Sequence, residues 1–255
     1  MKQLSVMERH NKILEMLDEN GRVSVNELSE LFGVSSVIIR NDLTELEKKD
    51  LLTRVHGGAI TSYKSYHDMS LVQRSNTHSG EKQKIAEKIA EYISDNDTVM
   101  LNAGTTPLFV MRAIKEKRVT ILTNSIVLAL EAASNPNFKI ILLGGEVDEN
   151  YQFTYGTQVL RELENYHPSV LILSVDGIDA KGIMSTYYHH EVEISKKMMA
   201  QSSKTIIAAD YSKISRTAFS NIGKIEKGNL LVTNHKAVEK ELHNIIKCGV
   251  KVITV

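Results

Sequence analysis

The stretch between residues 35 and 44 carries side chains whose chemistry suits contact with the bases and phosphates of double-stranded DNA. Arg40 can donate two hydrogen bonds to a guanine or a phosphate, Asn41 can pair with an adenine, and Val37 can contact a thymine methyl group. The candidate DNA-contacting residues of this stretch are Ser35, Ser36, Val37, Arg40, Asn41 and Thr44.

Two short helices joined by a tight turn are expected to position this set. Ser24 followed by Glu27 forms a capping box, and Gly33 suits the end of the first helix. Ser35 then caps a second helix, so the pair forms a helix-turn-helix. The predicted apolar faces comprise Val25, Leu28, Leu31 and Phe32 on the first helix and Ile39, Leu43 and Leu46 on the second.

The segment after the second helix predicts a wing. Residues 51–60 favour two short strands around a tight turn, which would place Arg54 and His56 beside the DNA groove. With a further helix over residues 6–18, this makes a winged helix-turn-helix domain over residues 1–60. Because helix-turn-helix spacing is common, the same pattern also fits a small helical bundle with no DNA-binding role.

The charge of this region argues against a general nucleic-acid coat. Residues 1–60 contain eight Lys and Arg against ten Asp and Glu, a net charge of −2. Non-specific affinity scales with the cations placed on the phosphate backbone, so it should be weak here. A site-specific dimer, whose second copy doubles the contacts, fits this balance better.

Residues 81–255 show a different pattern, in which apolar runs alternate with helical segments. Such runs are typical of an open, mainly parallel α/β sheet covered by helices on both faces. We therefore expect a larger α/β effector-sensing and oligomerisation domain over 81–255, joined to the winged helix by a linker over 61–80 that includes Tyr63 and Tyr66. The predicted strands are Val99–Leu101, Val119–Leu122, Ile140–Leu143, Val170–Leu173, Ile206–Ala209, Leu230–Val232 and Val250–Val255.

Small polar residues follow these strands, whose ends converge on the edge where open α/β sheets bind ligands. Gly104, Thr105 and Thr106 begin a helix, where backbone N–H groups and two hydroxyls suit a phosphate. Because one such turn is also a common helix cap, the prediction depends on several of them meeting. The candidate effector-binding residues are Asn102, Gly104, Thr105, Thr106, Thr123, Asn124, Ser125, Gly144, Gly145, Asp176, Gly177, Glu191, Asp210 and Lys213.

The amino-terminal residues resemble the signature of the DeoR family of bacterial transcription regulators, most specifically in Arg54-x-His56-Gly57-Gly58-Ala59. The resemblance implies operator binding through the second helix. The family usually has Thr where Ile38 stands and Arg where Asn41 stands, which bears on the operator that is bound. The other matching residues are Arg9, Ile13, Val25, Leu28, Phe32, Val34, Ser35, Ile39, Arg40, Asp42, Leu43, Leu46 and Leu52.

The carboxy-terminal half also resembles the DeoR family, whose sensor domain is similar in fold to ribose-phosphate isomerase and senses phosphorylated sugars or related metabolites. This implies a repressor of a carbohydrate-utilisation operon, controlled by a phosphorylated sugar or polyol. The family usually has Asp at Asn102, Lys near Ser195 and Asp at Asn234, so these departures bear on the effector. The matching residues are Gly104–Thr106, Thr123–Ser125, Leu143–Gly145, Gly156, Asp176–Asp179, Gly182, Glu191, Glu193, Met198, Asp210, Ser212 and Lys213.

Composition limits the class of protein and its compartment. The single cysteine, Cys248, excludes a disulfide framework and fits a reducing cytoplasm. No apolar run approaches the roughly 18 residues that a membrane span requires, and the first residues carry no apolar signal region. We expect a cytoplasmic dimer or tetramer that binds DNA and a small-molecule effector, with no cofactor and no metal.

Two other functions fit part of the pattern. Sugar-phosphate isomerisation needs a carboxylate base beside a phosphate anchor, although an isomerase has no need of a winged helix. A ligand-free scaffold for oligomerisation is the other alternative. His189 and His190 are expected to point apart on a helix, which argues against a metal site. The carboxylates available to an isomerase are Asp176, Asp179, Glu191 and Asp210.

Overall fold

The computed structural model describes residues 4–20, 22–48, 51–55, 57–61, 71–149 and 151–255. The chain divides into two compact units, Met1–His78 and Ser79–Val255. His56, which was predicted to contact DNA, lies outside the described residues, as do Tyr63 and Tyr66 of the predicted linker. Residues Leu71–Asn76 of that linker form a helix, which was not predicted because the segment lacks apolar periodicity.

The first unit is a winged helix. Its elements are α1 (Val6–Asn20), β1 (Arg22–Ser24), α2 (Val25–Phe32), α3 (Ser36–Lys48), β2 (Leu52–Val55), β3 (Gly58–Thr61) and α4 (Leu71–Asn76). The strands form an antiparallel sheet in the order β1-β3-β2. Ser24 caps α2 by accepting a hydrogen bond from the Glu27 backbone N–H at 3.1 Å, and Gly33 ends it with a φ of 64°. The predicted helix-turn-helix is confirmed.

The core of this unit follows the predicted apolar pattern with one exception. Ile39 and Leu43 of α3 are fully buried, as is Leu28 of α2. The placement of Leu31 on the apolar face is wrong, since 52% of this residue is exposed. Strand β1 was not predicted, because three residues are too few to show an alternating pattern.

Gly58 allows β3 to approach β1 closely, which leads to a stability prediction. A Cβ atom on Gly58 would lie 2.0 Å from the Val23 carbonyl oxygen. We expect Gly58→Ala to lower the free energy of unfolding of this unit by about 3 kcal/mol, because the strands must separate. Gly57→Ala is the control, since its Cβ would meet nothing within 4 Å and its φ of +79° costs only about 1 kcal/mol. Hydrogen exchange of peptides from residues 22–61, followed as a function of urea concentration, measures the free energy of unfolding of both variants. Equal losses of stability in Gly58→Ala and Gly57→Ala would contradict the steric argument.

The second unit alternates strands and helices along the chain. In order, its elements are α5 (Ser79–Ala90), β4 (Thr98–Leu101), α6 (Thr105–Ala113), β5 (Val119–Thr123), α7 (Ile126–Ala132), β6 (Phe138–Leu142), β7 (Glu146–Asp148), β8 (Phe153–Tyr155), α8 (Thr157–Leu163), β9 (Val170–Leu173), β10 (Gly177–Ile178), β11 (Ile183–Thr186), α9 (His189–Gln201), β12 (Thr205–Ala208), a short 3-10 helix (Tyr211–Lys213), β13 (Ser220–Lys224), β14 (Leu230–Thr233), α10 (Glu239–Lys247) and β15 (Lys251–Thr254). Every predicted strand is present in this unit.

Seven strands form one parallel sheet in the order β15-β14-β12-β9-β4-β5-β6. The predicted mainly parallel α/β fold is therefore confirmed. The chain starts the sheet at β4, extends it to β6 on one side, and returns to β9 on the other side of β4. The gap between the carboxyl ends of β4 and β9 is the topological switch point, where sheets of this kind bind ligands.

Burial along the sheet follows from this order. All residues of β9, β12 and β14 are buried, as the continuous apolar runs predict, whereas the edge strands β6 and β15 are partly exposed. Two small sheets were not predicted: the antiparallel β7–β8 hairpin and the sheet β10-β11-β13. Their strands are short and lack apolar runs. In the part of the chain that the structure describes, no helix is long and apolar enough to cross a membrane.

Candidate functional site

The outer face of α3 carries the residues predicted to contact DNA. Val37 is 60% exposed, and Arg40 and Asn41 are exposed beside it. Ser35 is also exposed and caps the helix, its hydroxyl oxygen accepting a hydrogen bond from a backbone N–H of the first turn at 3.4 Å. This outer face of α3, which we call the reading face, can therefore enter a major groove of DNA. The half-buried members of the set are Ser36 and Thr44.

Arg54 ties the wing to α3. Its Nη1 donates a hydrogen bond to Thr44 Oγ1 at 2.9 Å, and its backbone N–H donates to Glu47 Oε1 at 2.9 Å. Thr44 Oγ1 in turn donates to the Arg40 carbonyl oxygen at 2.7 Å. Arg40 Nη1 donates to Ser36 Oγ at 3.4 Å. A continuous chain of hydrogen bonds thus connects Arg54 of the predicted wing to α3, the helix predicted to contact DNA.

An ion pair beneath this face was missed by the sequence analysis. The Arg9 guanidinium donates two hydrogen bonds to the Asp42 carboxylate, from Nε at 2.8 Å and from Nη2 at 3.0 Å. His10 Nε2 lies 3.2 Å from the same carboxylate. The hydrogen bonds to Asp42 raise the pKa of Arg9 above its ordinary value. Both partners carry the family resemblance, but no spacing rule connects residues 33 positions apart.

Asn102 spans the topological switch point. It follows β4, and its side chain binds Ser174, which follows β9: Nδ2 donates to the Ser174 carbonyl oxygen at 3.0 Å, and Oδ1 accepts from the Ser174 N–H at 2.8 Å. Gly104 approaches the same residue, since a Cβ atom there would lie 2.1 Å from Ser174 Oγ. Asn102 therefore links the two strand ends at the base of the candidate crevice.

The hydrogen bond that Asn102 Nδ2 donates to the Ser174 carbonyl leads to a second stability prediction. An aspartate at position 102, the usual family residue, can accept but cannot donate to the Ser174 carbonyl. We expect Asn102→Asp to lower the free energy of unfolding of the second unit by about 1–3 kcal/mol in neutral urea titrations. Asn137→Asp is the matched control, because Nδ2 of Asn137 donates to the Lys115 carbonyl at 3.2 Å in an exposed position. The control should change stability by less than about 0.5 kcal/mol; equal stability of the two variants would contradict this role.

The Gly104-Thr105-Thr106 turn begins α6 at the switch point. Gly104 offers no side chain to cap the helix. Thr105 and Thr106 are each only 5% exposed, so their hydroxyls lie at a protected helix N-terminus. The partial positive charge of that terminus and the two hydroxyls together suit an anion such as a phosphate.

Asp176, Glu191 and Lys213 come from separate segments and meet near the switch point. The Thr186 hydroxyl lies between the carboxylates, 2.6 Å from Glu191 Oε2 and 3.1 Å from Asp176 Oδ2. Lys213 Nζ lies 4.0 Å from Asp176 Oδ1, and the lysine side chain is nearly fully buried. Two acids, a cation and a hydroxyl are thereby gathered, which are groups that bind the hydroxyls and phosphate of a sugar phosphate.

Asp210 and Gly177 make local structural contacts. Asp210 caps the 3-10 helix, its Oδ1 accepting from the Ser212 N–H at 3.0 Å. Gly177 lies in β10, where a Cβ atom would lie 2.5 Å from the Arg216 carbonyl oxygen. Asn234, where the family usually has Asp, accepts a hydrogen bond from the Tyr211 N–H at 3.2 Å. Asp210 and Asn234 thus hold the segments that follow β12 and β14, and Gly177 allows β10 to approach the Arg216 backbone.

The β7–β8 hairpin covers the residues that follow β5. The backbone N–H of Thr154 donates to the Asn124 carbonyl at 2.8 Å, and Asn124 Nδ2 donates to the Thr154 carbonyl at 3.1 Å. As a result, Thr123, Asn124 and Ser125 are at most 2% exposed. These residues were predicted from the sequence as effector contacts in the crevice, and the hairpin that covers them was not predicted.

Gly144 and Gly145 lead from β6 into this hairpin. The Gly144 N–H donates to Glu162 Oε2 at 2.8 Å. A Cβ atom on Gly145 would lie 2.5 Å from the Tyr155 carbonyl oxygen, so this glycine allows the hairpin to fold back closely. These two glycines thus lie against α8 and β8, contacts that the sequence pattern did not predict.

The side chains of His189 and His190 do not point apart as expected. Their ring centroids lie 3.8 Å from each other, and that of His190 lies 4.5 Å from the Tyr155 ring. Residue His189 is the first of α9, where the chain is still leaving the preceding turn. Across the described ranges, no group of three His, Cys, Asp or Glu side chains is placed to hold a metal ion.

A winged helix with an exposed reading helix, followed by an α/β domain with polar residues at its switch point, defines a two-domain transcription regulator. Residues 9–64 match the DeoR-like helix-turn-helix domain, and residues 77–235 match the DeoR C terminal sensor domain. The chain belongs to the DeoR family of transcription regulators.

Relatives of similar length support this assignment. The chain is 33% identical to the uncharacterized HTH-type transcriptional regulator YulB of Bacillus subtilis (strain 168), over 90% of this chain and 89% of that protein. It is 34% identical to the glycerol-3-phosphate regulon repressor of Escherichia coli (strain K12), over 89% of this chain and 90% of that one. Among solved structures, ribose 5 phosphate isomerase A from Neisseria gonorrhoeae matches with a TM-score of 0.39 and 18% identity, over 52% of each chain.

Proposed function

We propose that the protein represses a carbohydrate-utilisation operon by binding its operator, and that a phosphorylated sugar or polyol in the second unit controls this binding. The observation that carries the proposal is the pairing of an exposed reading face on α3 with a separate cluster of Asp176, Glu191 and Lys213 in the second unit. An effector that binds two arrangements of the protein unequally shifts the balance between them, and the factor by which it changes operator affinity equals the factor by which the operator changes effector affinity.

On the DNA side, the proposal assigns base contacts to Val37, Arg40 and Asn41, which are exposed together. The net charge of −2 over residues 1–60 makes non-specific binding weak. A homo-oligomer with two-fold symmetry would supply the missing affinity through two half-sites. Phosphate contacts are assigned to Ser35, Ser36, Thr44, Arg54 and His56.

On the effector side, the α6 N-terminus with Thr105 and Thr106 would hold the phosphate, and Asp176 and Glu191 would bind the hydroxyls. The glycerol-3-phosphate regulon repressor of Escherichia coli, a relative at 34% identity whose name contains a polyol phosphate, supports a phosphorylated polyol or sugar as the effector class. The proposal needs no cofactor and no catalytic residue. It places the protein in the cytoplasm, where operator DNA is found.

A regulator is favoured over an isomerase with an accessory DNA-binding module, because the relatives are named as regulators and repressors. The isomerase alternative has a direct assay. Turnover of a sugar phosphate by the purified chain, abolished by Asp176→Asn or Glu191→Gln, would support it. If a sugar phosphate changes DNA binding but none of the compounds tested is turned over, the regulator function is supported over the isomerase.

The test of the proposal measures binding to duplex DNA from just upstream of the gene, by fluorescence anisotropy at near-physiological salt. A random duplex of equal length is the control, and a panel of sugar phosphates is added to each complex. We expect a specific complex whose affinity one compound changes. A failure to prefer the upstream DNA would contradict the DNA half; a specific complex that no compound changes would contradict the effector half.

A further inference from the structure

We propose that the buried pair of Arg9 and Asp42 sets the rotation of α3 about its own axis and thereby aims the reading face at the DNA groove. The inference rests on the proposed DNA-binding function. Arg9 and Asp42 are positioning residues, which act through the orientation of α3 and do not contact DNA themselves. The pair joins α1 to α3, and its side chains are 9% and 6% exposed. Arg9 also donates from Nη1 to the Leu4 carbonyl at 3.1 Å, which anchors the guanidinium to the start of the described chain.

The position of Asp42 on α3 makes this role possible. Successive residues of an α-helix are about 100° apart around its axis. Val37, Arg40 and Thr44 therefore project about 140–160° away from Asp42, on the opposite side of α3. Asp42 is 4% exposed whereas Val37 is 60% exposed, as this geometry requires. The direction in which Asp42 is held determines the direction in which the other three residues point.

Apolar packing alone defines this direction less sharply. The neighbouring core contacts are made by aliphatic residues such as Ile13 of α1 and Ile39 and Leu43 of α3. Aliphatic cores tolerate rearrangement and lose uniqueness before they lose stability. A guanidinium that donates two hydrogen bonds to one carboxylate is instead constrained in both plane and distance.

A small error in rotation would be enough to disrupt base reading. A side-chain atom about 6 Å from the axis moves by about 2 Å when the helix turns by 20°. Base-edge hydrogen bonds require donor–acceptor distances of about 2.7–3.2 Å, so a shift of this size breaks them. Phosphate contacts from long side chains can adjust, so loss of the pair should reduce discrimination between sequences more than non-specific binding.

The competing role for the pair is simple stabilisation of the domain. Burying two charges is costly, and replacing a buried ion pair with apolar residues of similar volume is often neutral or stabilising, whereas removing one partner is strongly destabilising. The double variant Arg9→Met/Asp42→Leu therefore separates orientation from stability. His10 remains in this variant, and its Nε2 keeps a polar neighbour in Glu45 Oε2 at 4.0 Å.

The experiment compares the full-length double variant with wild type on two duplexes: a site that wild type selects from a random library, and a scrambled version of it. Lys12→Gln/Glu15→Gln is the matched control, because it removes an exposed ion pair of the same charge from α1. We expect the double variant to stay folded, with a melting temperature within roughly 5 °C of wild type. Its preference for the selected site should fall at least about tenfold, with affinity for the scrambled duplex unchanged, whereas the control keeps the wild-type preference.

Each other outcome overturns the inference. A folded double variant with the wild-type preference would show that apolar packing suffices to orient α3. A double variant that does not fold would show that the pair is needed for stability. If wild type itself selects no sequence, the proposed DNA-binding function fails, which is distinguishable from a wild-type preference that the double variant retains.

Discussion

Arg40→Ala is expected to weaken binding to the specific operator by at least about 30-fold while leaving the protein folded. The side chain is exposed on α3 and donates one long hydrogen bond, to Ser36 Oγ at 3.4 Å, so little stability depends on it. A base-reading arginine contributes roughly 1–3 kcal/mol at each half-site, and a two-fold dimer uses it twice. Fluorescence anisotropy on operator and scrambled duplexes, with circular dichroism to verify folding, measures the effect.

Lys48→Ala provides the control for this experiment. It removes the same charge from the exposed end of the same helix, in its last turn. A cation that contacts phosphate or complements the helix dipole should affect both duplexes equally, and only modestly. Unaltered operator binding by Arg40→Ala, or an equal loss on both duplexes, would contradict base reading by Arg40.

The double variant Thr105→Val/Thr106→Val is expected to weaken the effector response at least about 100-fold in effector concentration, with operator binding in the absence of effector unchanged. Valine preserves the shape of these nearly buried side chains but removes the two hydroxyls at the N-terminus of α6. Hydrogen bonds to a charged phosphate contribute about 1.5–3 kcal/mol each, so two of them account for such a loss. Titration of the DNA complex with the active compound gives the measurement.

Thr98→Val is the matched control for this variant. Thr98 lies at the amino end of β4, whereas Thr105 and Thr106 follow the carboxyl end of the same strand. The substitution makes the same chemical change on the far edge of the sheet and should leave the response intact. A wild-type response in the double variant would mean that the effector binds elsewhere.

Local signals in the sequence were sufficient for the helix-turn-helix and for the seven strands of the large sheet. Ser24 and Gly33 act through hydrogen bonds and backbone angles within a few residues, so the helix boundaries of the helix-turn-helix follow from spacing alone. The central strands of the large sheet are also visible in the sequence. Both of their faces are covered, so they read as continuous apolar runs. The short strands β1, β7, β8, β10, β11 and β13 have no such signal and were missed.

The candidate site was predictable in part. Exposure of Val37, Arg40 and Asn41 follows from the helical period, because the apolar residues of α3 define the opposite face. The prediction that Thr123–Ser125 bind the effector did not include the β7–β8 hairpin that covers them. Their types are polar and small in either case, so sequence could not distinguish a ligand contact from a buried turn.

The sequence by itself therefore determined the winged helix-turn-helix, the seven strands of the large sheet and the face of α3 that meets solvent, since these features are encoded in the pattern of residues near one another in the chain. Only the tertiary structure decided that Arg9 binds Asp42, that Asn102 links to Ser174 across the switch point, and that Asp176, Glu191 and Lys213 come together. Such contacts join residues far apart in sequence, and the pairing of their side chains depends on how the packed elements are placed in space.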